Sequence, residues 1–340
     1  MPKSLEKKKR LSRNHDLRCS LTRSGCRLLL AAAALFVSCH EQPIVEQAPS
    51  ADRHLPYNFV ARNGLVVAAN PLAAEAGREM LKSGGNAIDA AVTTAFALNA
   101  AEPFASGIGG GGFMVIYLAS TKKAPVINYR EKAPQGAAPT MFRDKGEEEG
   151  MWREATGLAV AVPGALAGWD LALRKYGTVS LGRAAARAVE IADKGYAVSQ
   201  TFSSINKDEY ERLALNLGEG SCYLNDGLPY EPGDPFRNPD LARTFRLIIA
   251  KGIEEFYRGE IAHRIVAAVQ AKGGIMTLED LAAYEAEEVL PLRGAYKNYT
   301  LVTAPPPASG GLHLIQLLNI IENWPVKDWG HNSPRTIHHL

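Results

Sequence analysis

The sequence predicts an α+β chain in which helices outnumber short, hairpin-joined strands. Three observations carry this. The stretch from Ala87 to Ala101 is almost wholly apolar or small and long enough for a helix covered on most sides. Two short runs follow it, Phe113 to Leu118 and Pro125 to Tyr129, joined through Ser120-Thr-Lys-Lys as a hairpin. From Leu166 onward the apolar residues fall mostly at helical spacing, with turn residues between the runs.

The first 38 residues read as a leader rather than as fold. Nine Lys and Arg residues stand against Glu6 and Asp16 up to Arg27, a net of +7, and Leu28 to Val37 is an unbroken apolar run. Ten apolar residues are too few to cross about 30 Å of hydrocarbon as a helix. A basic region, a short apolar region and Ser38-Cys39 together describe a secretory signal. Phe36-Val37-Ser38-Cys39 also resembles a bacterial lipobox, which makes Cys39 a candidate for lipidation; plain cleavage near Ser38 is the other reading. Residues 39–56 are polar and proline-bearing, a tether, and the fold is expected over residues 57–340.

Charge follows from this division. The whole chain carries +2, so the +7 of the leader leaves −5 for the rest. No basic, aromatic-interleaved stripe remains, which argues against nucleic acid as a partner. Cysteine is scarce: beyond Cys19 and Cys26 in the leader only Cys39 and Cys222 occur, and no Cys/His spacing suits zinc. Cys222 is expected to be a free, buried thiol.

Along the fold, Gly64 to Ala69 reads as a short buried strand. Asn70-Pro71 supply a cap and first-turn proline, and Leu72, Ala76 and Met80 share one helix face before Gly84-Gly85 stop it. Asn86 opens the next helix, with Asp89 three residues on as a capping-box partner, and Glu102-Pro103 end it. Gly107, Gly109, Gly110, Gly111 and Gly112 leave a loop nearly bare of side chains, open to positive φ or to close approach by a backbone or ligand. Arg130 stands at the end of the second strand, where a fixed guanidinium can meet an anion; pairing with a neighbouring carboxylate is its structural alternative.

Residues 136–154 are charged and read as a surface loop. Gly157 to Gly164 reads as a strand running into Pro163-Gly164, followed by helices around Leu166 to Leu173 and from Leu181 to Lys194. Phe202 to Tyr223 is polar, an irregular helical surface segment. Further helices are expected at Asp240 to Lys251, at Ile261 to Ala271, after the Thr277/Asp280 capping box, and from Leu312 to Glu322, with a strand at Thr300 to Thr303. Pro305 to Pro307 reads as a rigid turn. Ser333-Pro334 is a helix start whose first turn reaches Leu340, so a longer helix is expected.

The blocks Gly84-Gly-Asn-Ala-Ile-Asp-Ala-Ala91, Glu102-Pro103, Ser106-Gly-Ile-Gly-Gly-Gly-Gly112 and Arg130-Glu-Lys-Ala-Pro134 resemble, in this order, the large-subunit signature of the γ-glutamyltransferases, also called γ-glutamyltranspeptidases or glutathione hydrolases. Tyr129 stands where a glycine is commoner in that pattern. The Val162-Pro-Gly block and the run from Gly233 to Thr244 resemble the same family.

That resemblance implies an N-terminal-nucleophile hydrolase fold, a four-layer αββα sandwich shared by two subunits made by self-cleavage of one precursor. It implies no cofactor and no metal. The nucleophile would be a threonine opening the small subunit, so no catalytic residue is expected within these 340 residues and the chain alone is expected to be inactive. Carried over residue by residue, the large subunit's contribution is Arg130, holding the α-carboxylate of a γ-glutamyl group such as that of glutathione. The partners implied are γ-glutamyl compounds and the small subunit of the same precursor. Two other readings stand beside it: a related acylase acting on a β-lactam side chain or polyglutamate, and a non-catalytic lipoprotein that keeps the fold.

Other motifs carry less. Gly107 to Gly112 fits G-x-G-x-x-G, but a helix precedes it and a strand follows, the reverse of a dinucleotide site. Ser204-Ile-Asn-Lys207 lacks the companion motifs of a serine acyltransferase.

Overall fold

The computed structural model describes residues 60–143, 156–217 and 220–340. The leader, Cys39, the tether and most of the charged loop over 136–154 lie outside the described residues. Residues Ala61–Leu340 form one unit.

Helix caps predicted from sequence are where the molecule is pinned. Helix α1, Pro71–Lys82, starts with the Asn70 side chain accepting from the Leu72 N–H, with proline in its first turn. Helix α2, Ala87–Ala101, has the full capping box between Asn86 and Asp89. Asp89 does more than cap. Its buried carboxylate accepts from the Asn86 N–H (2.8 Å), the Thr178 N–H (2.8 Å) and hydroxyl (2.5 Å), and the Val179 N–H (3.2 Å). The Asn86 side-chain amide meanwhile donates to the Tyr176 carbonyl at 2.7 Å. Burial alone would raise the Asp89 pKa, but the bonds from Thr178, Asn86 and Val179 outweigh it and hold the group below its ordinary value. The Asn-Ala-Ile-Asp block therefore ties the start of α2 to the turn between helix α3, Ala165–Tyr176, and helix α4, Leu181–Lys194.

Around that clamp the helices form a layer. Small side chains let α1, α2 and α4 approach closely: Ala73, Ala76, Ala97, Ala100, Ala101, Ile191 and Ala192 pack with Ala242 from helix α7, Pro239–Lys251, once helices α5, Gln200–Asp208, and α6, Tyr210–Leu217, have been passed. The larger core is aromatic at its centre. Phe96 meets Trp169 edge-on at 4.8 Å and Phe245 at 5.6 Å, and Leu166, Phe256, Met276 and Leu281 fill in around them.

Among the described residues, three small antiparallel sheets accompany the helices. Strands β1, Phe113–Val115, and β2, Val126–Asn128, form the predicted hairpin, extended by a bridge between Leu118 and Lys123. Strand β5, Glu287–Val289, flanks β2 on its other side, giving the order β1-β2-β5. Between them in sequence, β3, Tyr196–Ala197, pairs β4, Pro235–Phe236. Strands β6, Leu292–Tyr296, and β7, Tyr299–Thr303, make a hairpin against which the helix Ser309–Ile321 packs. Helix Glu260–Ala271 and the capped turn Leu278–Ala282 lie close to the predicted spans, whereas the short helix Glu254–Tyr257 was not predicted.

Several expectations fail. Gly64 to Ala69 is not a buried strand: it pairs with no strand among the described residues, and Leu65 and Val67 are exposed. Gly157 to Gly164 is a short 3-10 turn at Gly157–Ala159 followed by a single bridge from Val162 to Lys132. In the first, β propensity is present without a strand partner among the described residues; in the second, the neighbour at Lys132 pairs with Val162 alone. The segment from Phe202 to Tyr223 is helical and mostly at the surface, as expected, but more regular, with Phe202, Ser203 and Asn206 buried among its described residues. It forms α5 and α6, and Phe202 packs edge-on against Phe236 at 5.1 Å. Cys222 is half-buried, its thiol pushed up by desolvation.

Removing the Asp89 carboxylate leaves four donors without their acceptor. Asp89→Ala is expected to lower unfolding stability by about 2–4 kcal/mol in denaturant titrations. Because its folded pKa is depressed, the carboxylate's contribution is present above about pH 4 and is lost as pH falls through the folded value, so the variant should show a shallower acid-side decline.

Candidate functional site at the end of strand β2

Glycine makes the site possible by absence of side chain. In the loop of five glycines none of Gly107 to Gly112 has positive φ, contrary to one reading of the sequence; the requirement is steric. A Cβ on Gly111 would lie 2.5 Å from the Tyr129 carbonyl oxygen and 2.8 Å from the Glu131 nitrogen. The loop therefore runs backbone against backbone with the strand that carries Arg130. Gly112 exchanges two hydrogen bonds with Tyr129, at 3.2 and 3.0 Å. The Gly110 carbonyl accepts from the Gly164 and Ala165 N–H groups at 3.0 and 2.9 Å, which joins the loop to the first turn of α3.

The Tyr129 ring sits between Gly112 and Gly168, where a Cβ would lie 3.1 Å and 2.3 Å from it. A tyrosine is accommodated here because α3 presents a glycine to it. Desolvation in that slot raises its pKa.

Arg130 follows, outside the ladder. Its N–H donates to the Asn128 side-chain oxygen at 3.1 Å, and its carbonyl accepts from the Tyr284 hydroxyl at 2.8 Å. The chain is fixed again just beyond. Lys132 and Val162 exchange hydrogen bonds at 3.2 and 2.8 Å, and the Gln135 N–H donates to Asp280 at 2.8 Å. Asp280 thus caps its own helix through Thr277 and holds the end of the Arg130 segment, and these bonds keep its pKa low despite desolvation. Tyr284 is buried and stacks on Tyr257 at 5.9 Å, with the Lys132 ammonium 5.3 Å from its ring. Desolvation, with Glu131 and Glu287 adding to it, pushes the Tyr284 hydroxyl up to about 12, so it is a donor throughout the working range.

In contrast with this pinned backbone, the Arg130 side chain is 59% exposed, and its ion pair with Glu131 is long, 3.5 Å. A pair of that exposure contributes little, about 0–1 kcal/mol. The guanidinium is consequently available to a planar anion, for which its paired N–H groups suit bidentate binding.

Two sizeable concavities among the described residues do not reach Arg130, although one borders the glycine loop. One of about 750 Å³ is lined by Phe104, Phe202 and Leu213 among others, and one of about 810 Å³ by Ile108, Gly109, Cys222 and Arg264 among others. Neither includes Arg130. The volumes favour those hollows, but the fixed cation with an unengaged face is at the strand end, and we place the candidate site there. Among the described residues no cluster of His, Cys, Asp and Glu could hold a metal, and no helix is long and apolar enough to cross a membrane.

The sequence singled out Arg130 and the glycine loop, and the structure brings them together. It missed Asn128, Gly168 and Tyr284. Asp280 was legible only as a cap. A tyrosine just after a short capped helix was the one local hint of Tyr284's role.

Comparison with known proteins decides the family. The model of the family described as Gamma-glutamyltranspeptidase matches residues 73–340. The chain belongs to the γ-glutamyltranspeptidase family. A glutathione hydrolase proenzyme from Pseudomonas sp. (strain A14) is 42% identical over 283 residues, covering 82% of this chain and 49% of that protein. The chain thus spans about half the length of the curated relatives it matches. The γ-glutamyltranspeptidase of Helicobacter pylori superposes with a TM-score of 0.78 at 38% identity, covering 83% of this chain and 81% of that one. A cephalosporin acylase from Bacillus halodurans has a TM-score of 0.73 at 32% identity, covering 88% of this chain and 55% of that one. The α+β fold is of the N-terminal-nucleophile type found in γ-glutamyltranspeptidases and these acylases, and the described residues supply to it one three-stranded sheet and two two-stranded ribbons.

The steric account separates two glycines of the loop. Gly111→Ala is expected to cost about 1–3 kcal/mol of stability, because the opposing atoms are backbone. Gly109→Ala meets nothing within 4 Å among the described residues and should change stability by less than about 0.5 kcal/mol. Thermal unfolding of the two variants side by side measures the difference.

Proposed function

We propose that this chain is the large-subunit portion of an exported γ-glutamyltransferase/glutathione hydrolase, in which Arg130 binds the α-carboxylate of the γ-glutamyl group. The observation that carries the reading is a half-exposed guanidinium on a backbone fixed from both sides. A two-point guanidinium–carboxylate contact would hold one end of the substrate and set the distance to its γ-amide.

In this reading the nucleophile is a threonine contributed by a further, small-subunit half of the same precursor. Its hydroxyl attacks the γ-amide carbon, the amine leaves with a proton, and a γ-glutamyl ester forms. Water, or the amine of an amino acid or peptide, then takes the γ-glutamyl group and restores the hydroxyl. The large subunit supplies position rather than proton transfer.

The further half also has a surface to cover. Helix Ser309–Ile321 is apolar on nearly every side, yet only one face packs on the β6–β7 hairpin, leaving Leu312, Leu314, Leu317 and Ile320 exposed. We assign this face to contact with the small-subunit half of the same precursor. Export rests on the basic and apolar leader, and lipidation on Cys39; both lie outside the described residues. The acylase resemblance keeps a second amide in view, but an exposed guanidinium favours substrates that carry an α-carboxylate.

In the complete enzyme, Arg130→Ala should lose about 1.5–3 kcal/mol of substrate interaction, seen mainly as a raised KM for γ-glutamyl-p-nitroanilide, while self-cleavage persists. Unchanged kinetics would remove Arg130 from the site. The 340-residue chain expressed alone should release no p-nitroaniline and should be poorly soluble; turnover by that chain would overturn the assignment of the nucleophile to the other half.

A further inference from the structure

The Arg130 peptide is held by two side chains rather than by a strand partner. Its N–H goes to the Asn128 side-chain oxygen at 3.1 Å and its carbonyl to the Tyr284 hydroxyl at 2.8 Å, while the ladder resumes only at Lys132. Nothing comparable holds the guanidinium, whose ion pair with Glu131 is 3.5 Å long and whose side chain is 59% exposed. The region the guanidinium can reach is therefore set mainly by the backbone from which it departs.

Tyr284 is built as a rigid support. Its ring is stacked nearly parallel on Tyr257, 8° between planes, and the Tyr257 hydroxyl is itself fixed between the Pro163 carbonyl (3.1 Å) and the Ala167 N–H (3.2 Å). The backbone at Gly164 passes so close to the Tyr284 hydroxyl that a Cβ there would sit 2.0 Å from it. A hydroxyl confined in this way has little freedom to follow a wandering carbonyl, so it defines where the Arg130 carbonyl rests.

We propose that Tyr284 and Asn128 are positioning residues for the anion-binding guanidinium of Arg130, acting on substrate through that side chain alone. The inference rests on the reading of Arg130 as the carboxylate anchor. Neither residue touches substrate. Both restrict the Arg130 peptide, so that the point from which the guanidinium departs is fixed before the carboxylate arrives. Loss of either anchor should weaken binding of the carboxylate without altering the chemical step.

A double-mutant cycle in the complete, self-cleaved enzyme tests this. Tyr284→Phe keeps the ring and its stacking and removes only the donor. It should raise KM for γ-glutamyl-p-nitroanilide roughly three- to tenfold, the size expected for one hydrogen bond, with kcat within about twofold. In an Arg130→Ala background the same change should have no further effect on KM, because the group through which it acts is gone. Asn128→Ala, tested the same way, should show the same pattern and serves if the Tyr284 variant fails to accumulate. Losses that add fully onto Arg130→Ala would overturn the inference while leaving the role of Arg130 intact, as would wild-type kinetics in both single variants. Wild-type kinetics for Arg130→Ala itself would overturn the reading of Arg130 and the inference with it.

Discussion

Close approach of backbone to backbone around Tyr129 is the constraint on which the rest of the molecule depends. The glycine loop lies against the strand at Gly111, α3 lies against the same strand at Gly164 and Gly168, and the Gly110 carbonyl joins the two. A side chain at any of the three positions would have to displace main chain or a packed ring. The consequence is a short strand that is held on both faces and cannot shift in register without breaking contacts to a helix and a loop at once. Its last residues inherit that rigidity.

From there the logic of the site is one of division. The backbone from Gly112 to Gln135 is fixed by ladder bonds, by Tyr284 and by Asp280, and the Arg130 side chain is left exposed, with one long ion pair to Glu131. Buried groups do the holding, and in the proposed reading an exposed group does the recognition. Binding of a carboxylate then orders little besides one side chain, which keeps the entropic cost of recognition small. The buried acids Asp89 and Asp280 play the same structural part at two places, each capping a helix while accepting from a segment distant in sequence. Both are held ionised by donors that would otherwise be unsatisfied.

Much of this was legible in the amino-acid sequence, and the part that was not has a common cause. Helix starts at Asn70, Asn86, Thr277 and Ser333 depend on a side chain and a backbone group two or three residues apart, so local pattern suffices to find them. The strands expected at Gly64 to Ala69 and Gly157 to Gly164 failed because a strand requires a partner, which local pattern does not specify. The glycine loop was recognised, but its reason was half misread: the backbone needed room and not a left-handed turn. The link from Tyr284 to Arg130 spans 154 residues and leaves no periodic trace. Family resemblance located Arg130 and could not say what holds it.

The central claim is that the fixed end of strand β2 presents Arg130 to the α-carboxylate of a γ-glutamyl substrate. It is tested most directly by a crystal structure of the complete, processed enzyme with glutamate bound. The account predicts both α-carboxylate oxygens within about 3 Å of the Arg130 guanidinium nitrogens. A ligand whose α-carboxylate is held by other residues, with Arg130 still turned to solvent, would contradict it.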